Sequence, residues 1–231
     1  MVKLSPPAQA TLFHTQFWSS SRPAAVLLEL GLTTETGGPI AITTISQKDL
    51  KEDPWLVENN PQKRLPFFCD PAKNLMLNES GGLVQYLLET YDTENKLWPP
   101  LHDPKRPEFL KLLHFGPASA YHVAVPIFFR FMAAEGDPLR TSETDFERKK
   151  VDFHTFVAPT LEQALDKYGG PFLLGDKFSA VDIVCGYDLM TISYTQCSKE
   201  LLDPYPKVKS YFDIISKREV YQKLYTMPSS S

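Results

Sequence analysis

The sequence lacks the excess of positive charge that nucleic-acid-binding proteins carry. Its 231 residues include 24 lysines and arginines against 28 aspartates and glutamates, which gives a formal net charge of -4 at pH 7. A chain with this balance has no basic field to attract a phosphate backbone or an anionic membrane surface. We therefore expect neither nucleic acid nor a membrane among its partners.

Cysteine is scarce, and the three that occur, Cys69, Cys185 and Cys197, lie far apart. They form no Cys-x-x-Cys pair and have no metal-like spacing to the five histidines. This pattern is typical of free thiols in a reducing compartment. It predicts no disulfide framework and no bound metal.

Two kinds of long apolar segment are also missing. The first nine residues contain two prolines and lack the cationic start and apolar core of a secretion signal. No apolar run elsewhere reaches the ~20 residues that a membrane-spanning helix needs. With 42% hydrophobic residues, the chain is expected to be a cytoplasmic globular protein of one large or two modest domains.

The first 92 residues have the pattern of an α/β domain. Residues 11–15 and 39–45 are short runs that favour strands. The aliphatic segment between them favours a helix, because Pro23 suits a first helical turn and Gly31 a helix end. A strand, a helix and a second strand in this order predict a parallel pair of strands.

A hairpin and a further helix complete this predicted domain. Residues 65–69 and 74–77 are short apolar runs separated by a turn-forming Asp-Pro-Ala-Lys segment. From Ser80 onward apolar side chains recur on one face of a helix, whereas residues 48–60 are irregular or weakly helical. The predicted order is β-α-β-(α)-β-β-α.

A proline-rich stretch, residues 93–107, predicts a linker to a second domain over residues 108–231. The second domain has helical periodicity and no strand pattern. Its predicted helices cover residues 108–132, 143–168, 180–193, 206–217 and 219–225, the first of them bent at Pro117 and Pro126. The expected fold class is therefore an α/β domain followed by an all-α domain.

Two segments of the first domain closely resemble the glutathione transferase family. They are residues 60–68, NPQKRLPFF, and residues 77–87, LNESGGLVQYL. Residues 172–183, FLLGDKFSAVDI, are similar to the segment that opens the core helix of the family's second domain, and residues 110–117 resemble more weakly the start of its long helix. The resemblance extends over residues 11–225 and implies an N-terminal thioredoxin-like domain followed by a C-terminal helical bundle domain.

The resemblance also implies a glutathione site. In the family a cis proline, matched here by Pro66, opens the third strand, and the backbone of the preceding residue, Leu65, would pair with the cysteinyl backbone of glutathione like an added strand. Glu79 and Ser80, at a helix N-terminus, would hold the charged γ-glutamyl end. Arg64 would meet the glycyl carboxylate. Each element alone is common in proteins that bind nothing, but their spacing between the expected strands and helix favours a ligand site.

The catalytic group is expected in the loop after the first strand. Family members use a Tyr, Ser or Cys of this loop to stabilise the glutathione thiolate, since the thiol pKa must fall from about 8.5 toward neutrality. Here the loop offers three serines: Ser19 ranks first because it lies furthest from the helix, Ser20 follows, and Ser21 could simply cap. The alternatives are a flexible polar turn, and an alignment that counts back from Gly31 and places the family's serine on Phe17.

The same loop contains no cysteine. The class of the family that forms mixed disulfides with glutathione needs a nucleophilic sulfur there, so its reductase chemistry is not expected. Cys69 follows two phenylalanines in a predicted strand and is interpreted as a small buried apolar residue.

Aromatic residues are frequent in the long helix of the second domain. Most of them are expected to pack between helices. In the family this helix borders the pocket for the electrophile, and Tyr121 is the residue assigned to that pocket here. The aromatic surface suggests a bulky apolar electrophile.

Residues 178–183 form a predicted helix start. Ser179 is the expected N-cap, Asp182 can reach back to the Ser179 N–H, and Phe178 can pack onto Ile183. This is a structural element, and no catalytic role is assigned to Asp182.

The resemblance therefore implies a glutathione transferase that conjugates glutathione, its co-substrate, to small apolar electrophiles in detoxification, and reduction of organic peroxides as a second activity. Two alternatives stay open. One is a non-catalytic scaffold or dimerisation module, because the same fold serves such roles. The other is a pathway-specific transferase that acts on one biosynthetic intermediate. A homodimer is implied by the family alone.

Overall fold

The computed structural model describes Leu4 and residues 6–225. These residues divide into two compact units. The first unit comprises the described residues up to Lys96 together with Glu219 and those that follow it, and the second unit runs from Leu97 to Arg218.

A four-stranded mixed sheet forms the centre of the first unit. Its strands are β1 (Thr11–His14), β2 (Ala41–Thr44), β3 (Phe67–Asp70) and β4 (Leu75–Leu77), in the spatial order β2-β1-β3-β4. β1 runs parallel to β2 and antiparallel to β3, which pairs antiparallel with β4. This is the thioredoxin-like sheet that the resemblance implies, with the predicted parallel pair and hairpin both present.

Four helices follow the strands of this unit along the chain. They are α1 (Ser21–Glu29), α2 (Gln47–Glu52), α3 (Pro54–Asn59) and α4 (Ser80–Tyr91). The stretch predicted as weakly helical contains both α2 and α3, because Ser46 and Asp53 each accept a hydrogen bond from the first turn of the helix that they precede.

One face of the sheet is covered by apolar side chains. Phe13 and Phe67 stack with ring centroids 5.7 Å apart, and Leu50 and Leu56 of α2 and α3 join the same cluster. Cys69 lies in this cluster with 3% of its surface exposed, and burial raises the pKa of its thiol. The interpretation of Cys69 as a small core residue is thus confirmed.

The described part of the second unit is helical. It contains α5 (Arg106–Phe115), α6 (Tyr121–Met132), α7 (Glu143–Asp152), α8 (Ala158–Tyr168), α9 (Ala180–Ser193), α10 (Ser198–Leu202) and α11 (Pro206–Ile215). α9 is buried along nearly its whole length, so it is the core helix of this unit. The sequence pattern missed α10, whose five residues are too few to show a helical period.

A wider helical turn joins α5 to α6. Gly116–Ala120 form a π-helical segment, and Pro117 lies in its first turn. A proline there has no N–H to donate and disturbs the regular hydrogen-bond ladder at the position where a bend is predicted. A second π-helical segment, Phe153–Val157, joins α7 to α8, which the sequence pattern predicted as one uninterrupted helix.

The continuous helix from Arg106 to Met132 has nearly the predicted length and is more apolar than expected. Its 27 residues would suffice, by length and composition, to cross a membrane, whereas no run of that kind was predicted. Of its most apolar window, 44% is buried inside the protein. Its contacts with α9 are those of a core helix of this unit.

Gly116 lies close against the backbone of α9. A Cβ added there would lie 2.9 Å from the carbonyl carbon and oxygen of Val184, which are backbone atoms that cannot move aside. We predict that Gly116→Ala lowers the free energy of unfolding by about 1–3 kcal/mol. Gly82→Ala is the matched control, since nothing lies within 4 Å of its added Cβ, and it should leave stability unchanged or raise it by up to about 1 kcal/mol. Equal denaturant midpoints for the two variants would contradict the prediction.

The boundary between the units differs from the predicted linker. Leu97 is buried and its carbonyl accepts the Ala180 N–H at 2.8 Å. The guanidinium of Arg106 lies 4.0 Å from the ring centroid of Trp98. Most of the predicted linker, residues 93–107, therefore packs within the second unit from Leu97 onward, because Leu97 and Trp98 find partners there.

The last helix, α12 (Glu219–Leu224), also lies outside its predicted domain. It belongs to the first unit and packs against α1. Val220, Tyr221, Leu224 and Tyr225 are all buried. The first unit is therefore completed by a segment from the far end of the described chain.

Candidate functional site

The loop between β1 and α1 separates the three serines into different environments. Ser20 and Ser21 have no exposed surface, whereas Ser19 is half-buried. The Ser19 hydroxyl donates to the backbone carbonyl of Leu65 at 3.3 Å. Of the three hydroxyls, the one of Ser19 is therefore both accessible and next to the backbone on which the predicted glutathione contact depends.

Ser20 is fully engaged inside the loop. Its hydroxyl donates to the Thr15 carbonyl at 3.0 Å, and its oxygen accepts from the Thr15 N–H at 3.1 Å. Nδ1 of His14 lies 3.0 Å from the same oxygen, and burial lowers the pKa of His14 to about 4, so the imidazole is neutral at pH 7. A hydroxyl has one proton and two lone pairs, and these three bonds use all of them if Nδ1 is protonated. Ser20 therefore shapes the loop.

The turn before β3 holds Leu65 and Pro66. The peptide bond between them is cis, as the resemblance implies. The carboxamide of Asn60 donates to the Arg64 carbonyl at 2.9 Å. The carboxamide of Asn78 donates to Asn60 Oδ1 at 3.1 Å and to the Pro66 carbonyl at 3.3 Å. Two asparagines thus fix the turn, and they join it to the segment that carries Glu79.

Glu79 and Ser80 lie where α4 begins. Glu79 is exposed and has φ 68° and ψ 110°, a backbone conformation that side-chain-bearing residues rarely adopt. Such residues cluster at ligand sites, where the surrounding structure holds them in place. Ser80 opens the helix, so its neighbourhood carries the partial positive charge of a helix N-terminus.

Arg22 adds a cation to this helix start. Its side chain is only 1% exposed, and Nη1 lies 3.3 Å from the Ser80 hydroxyl oxygen, to which it donates. A buried guanidinium beside a helix N-terminus favours a negatively charged group there. The sequence pattern did not single out Arg22, Asn60 or Asn78, although Asn60 and Asn78 lie inside the two family-like segments.

Arg64 and Tyr121 are the other two predicted site residues. Arg64 is exposed beside the Leu65 turn, with its side chain available to solvent. Tyr121 opens α6 in the second unit, where its ring stacks on that of Tyr187 with centroids 6.2 Å apart. It is half-buried, so part of its surface is accessible.

Hydrogen bonds thus link three segments of the first unit. Ser19 is bonded to the Leu65 carbonyl, the Leu65 turn is bonded to Asn78, and Arg22 is bonded to Ser80. The arrangement brings together a backbone turn, a positive helix start and one accessible hydroxyl. Chemically it suits a ligand that has a peptide backbone, a carboxylate and a group that the hydroxyl can stabilise as an anion.

Comparison with known proteins agrees with this geometry. Residues 13–95 match the family model described as "Glutathione S-transferase, N-terminal domain", and residues 133–223 match "Glutathione S-transferase, C-terminal domain". Two fungal relatives carry the name glutathione S-transferase-like protein. OpS6 of Beauveria bassiana is 27% identical over 202 residues, 87% of each chain, and gedE of Aspergillus terreus is 29% identical over 210 residues, 88% of each chain.

A solved structure shows the same fold. It is a glutathione transferase homologue from Lodderomyces elongisporus with two glutathione molecules per subunit, and it superposes with a TM-score of 0.71 at 20% identity over 96% of this chain and 98% of that one. Both domain models, the relatives and the fold thus point to the same group of proteins. The chain belongs to the glutathione transferase family.

Proposed function

We propose that this protein binds glutathione in its first unit and transfers the glutathione thiolate to small apolar electrophiles. The observation that carries the proposal is the position of Ser19. Its hydroxyl is the accessible one of the three in the loop, and it lies 3.3 Å from the carbonyl of Leu65. Thiolate stabilisation is assigned to this hydroxyl.

The backbone of Leu65 is the proposed anchor for the cysteinyl residue of glutathione. A cysteinyl N–H that donates to the Leu65 carbonyl would compete with the Ser19 hydroxyl for that acceptor. Because a hydroxyl rotates freely about its C–O bond, Ser19 could then donate to the cysteinyl sulfur instead. The bond observed to Leu65 supports this assignment, because it directs the hydroxyl to the carbonyl that the cysteinyl backbone would use.

The charged ends of glutathione have matching groups nearby. The γ-glutamyl carboxylate suits the start of α4, where Ser80 and the buried Arg22 lie, and the γ-glutamyl ammonium suits the Glu79 carboxylate. The exposed Arg64 is proposed to meet the glycyl carboxylate. Charge-assisted hydrogen bonds of this kind are about twice as strong as neutral ones, so they would supply most of the binding specificity.

The proposed reaction is nucleophilic substitution. The bound thiol releases its proton to solvent, and the Ser19 O–H stabilises the resulting thiolate by a hydrogen bond. The sulfur attacks the electrophilic carbon, an S–C bond forms, and the leaving group, such as a halide, departs with the electron pair of its bond. The same thiolate is proposed to reduce organic peroxides: the sulfur attacks the O–O bond and the alcohol leaves, and a second glutathione then converts the resulting sulfenic acid into oxidised glutathione and water.

The remaining parts of the proposal rest on family membership. Tyr121 is proposed to contact the apolar electrophile, since it presents a half-buried aromatic ring at the start of α6. A homodimer in the cytoplasm is proposed as the working form. Sedimentation equilibrium of the purified protein would give the molecular mass that decides between monomer and dimer.

We predict that Glu79→Ala weakens glutathione binding about tenfold or more, because one bond to a charged group is worth ~1.5–3 kcal/mol. The measurement is isothermal titration calorimetry with glutathione, together with conjugation of a model aryl halide. Glu58→Ala is the matched control, since Glu58 is an exposed glutamate on α3. It should bind and turn over like the wild type.

Two results would contradict the proposal. If the wild type neither binds glutathione nor conjugates the aryl halide, the scaffold function is favoured. If Glu79→Ala and Glu58→Ala bind equally well, glutathione is not held at the start of α4.

A further inference from the structure

The loop that carries Ser19 is held by the end of α12. The Leu224 carbonyl accepts two hydrogen bonds, from the Phe17 N–H at 2.9 Å and from the Ser21 hydroxyl at 3.1 Å. The Lys223 carbonyl accepts a third, from the Gln16 carboxamide at 3.0 Å. The last carbonyls of a helix have no partner within the helix, so these acceptors are available to bind another segment.

The three donors flank Ser19 on both sides along the chain. Gln16 and Phe17 precede it and Ser21 follows it, while the Ser19 hydroxyl itself is directed to Leu65. Phe17 has φ 71°, a left-handed conformation that an aromatic residue rarely adopts. Its N–H bond to Leu224 and its ring, which is only 6% exposed, oppose relaxation to an ordinary conformation.

The position of α12 is itself fixed by burial. Tyr221 and Tyr225 have no exposed surface, and their rings pack with centroids 4.7 Å apart. An ion pair between Lys223 and Glu35, with N···O 2.9 Å, ties its outer side to the same unit. The carbonyls that receive the loop thus belong to a segment that two buried tyrosines anchor.

We propose that the C-terminal turn of α12 is a positioning element for the catalytic hydroxyl, acting through Gln16, Phe17 and Ser21 on Ser19. This inference rests on the proposed function of Ser19. The end of α12 bonds to Gln16, Phe17 and Ser21, whereas the Ser19 hydroxyl bonds to Leu65. Its effect is to fix the backbone from which Ser19 projects, and small displacements of a reacting group have large effects on rate.

The test uses Ser21→Ala, Gln16→Ala and the double variant. These changes remove side-chain bonds to α12 but leave its buried side chains in place, so the chain should still fold. In the double variant we expect the pKa of the bound glutathione thiol to rise by about one unit and kcat for an aryl halide to fall about tenfold, since the Ser19 hydroxyl is no longer held in line with the sulfur. The KM for glutathione should change less than twofold, because the binding groups are untouched.

Ser193→Ala is the matched control. It also removes a serine bond to a backbone carbonyl, that of Met190 at 2.7 Å, but in the second unit. It should lose similar stability while leaving the thiol pKa unchanged. The thiol pKa is read from the ultraviolet absorbance of the thiolate as a function of pH, and folding is checked by circular dichroism.

Three outcomes distinguish the positioning role of α12 from the proposed function of Ser19. If the wild type lowers the thiol pKa, Ser19→Ala abolishes that effect, and the double variant retains it, the positioning role of α12 is wrong and the function of Ser19 stands. If the double variant raises KM and leaves the thiol pKa and kcat unchanged, the role is also wrong. A wild type that does not lower the thiol pKa would overturn both the function and the inference.

Discussion

Ser19→Ala will lower kcat for aryl halide conjugation about a hundredfold or more while glutathione still binds. Removing one donor that stabilises a developing anion typically costs about 10²–10³ in kcat. The Leu65 backbone and the start of α4 stay intact in this variant, so the affinity for glutathione should change little. The pKa of the bound thiol should return toward the free value of about 8.5, and a titration of thiolate absorbance measures this directly.

Ser19→Thr tests whether loss of the hydroxyl explains the effect of Ser19→Ala. It keeps a hydroxyl at the same position of a half-buried side chain. Recovery of most of the rate in Ser19→Thr would assign the effect to the hydroxyl. If Ser19→Ala retains the wild-type rate and thiol pKa, the donor is another group, and the assignment of Ser19 fails.

The thioredoxin-like half of the fold could be predicted from local patterns. Strands β1 and β2 are separated by one helix that Pro23 and Gly31 delimit, and Gly31 indeed has the positive φ, 67°, that a helix end favours. The hairpin was visible because Asp70 to Lys73 are turn-forming residues between two apolar runs. These signals involve residues close in sequence, so no knowledge of tertiary contacts was needed.

Local patterns could not predict that α12 belongs to the first unit. Its apolar residues repeat with a helical period, which specifies a helix but not the surface that the helix covers. Its position depends on α1, about two hundred residues away along the chain. The same limit applies to the linker, where tertiary contacts such as the hydrogen bond from the Ala180 N–H to the Leu97 carbonyl show which unit it joins.

The sequence proposes a ligand class for the candidate site and does not distinguish among its candidate donors. The segments around Leu65 and Glu79 carry a family resemblance in sequence, which is why glutathione is the proposed ligand. The three serines are chemically identical in the sequence. What distinguishes them is burial and hydrogen bonding: Ser20 bonds to Thr15 and Ser21 to α12, whereas the bond of Ser19 leads to Leu65.

At the start of α9, Asp182 makes the predicted local hydrogen bonds and one further hydrogen bond to a residue outside the motif. As expected, Asp182 Oδ2 accepts the Ser179 N–H at 2.8 Å, and the Ser179 hydroxyl lies 3.0 Å from the same oxygen. In addition, Oδ1 accepts the Leu173 N–H at 2.9 Å, which no sequence pattern indicated. Phe178, expected to contact Ile183, packs its ring against that of Phe172 with centroids 5.6 Å apart. Asp182 thus fixes both the core helix and the turn before it.

Asp182→Ala will destabilise the protein more than Gly116→Ala does. The variant leaves two buried backbone N–H groups without their acceptor, and each such loss costs about 1–3 kcal/mol, so a total of about 4 kcal/mol is expected. Asp176→Ala is the matched control, since Asp176 is an exposed aspartate in the same turn, and it should change stability by less than about 0.5 kcal/mol. Denaturant unfolding followed by fluorescence measures both variants.

The burial of Asp182 should also make the free energy of unfolding depend on pH. Burial raises the pKa of this carboxyl from 3.8 to about 6, against the lowering effect of its hydrogen bonds. A group with a raised pKa binds its proton more tightly in the folded than in the unfolded chain, so its contribution is fully present below about pH 4 and is lost as pH rises through about 6. The difference in unfolding free energy between the wild type and Asp182→Asn should therefore fall by about 3 kcal/mol across this window and then stay constant. A difference that does not change between pH 4 and pH 7 would show that the hydrogen bonds from Leu173 and Ser179 offset the cost of burying the charge.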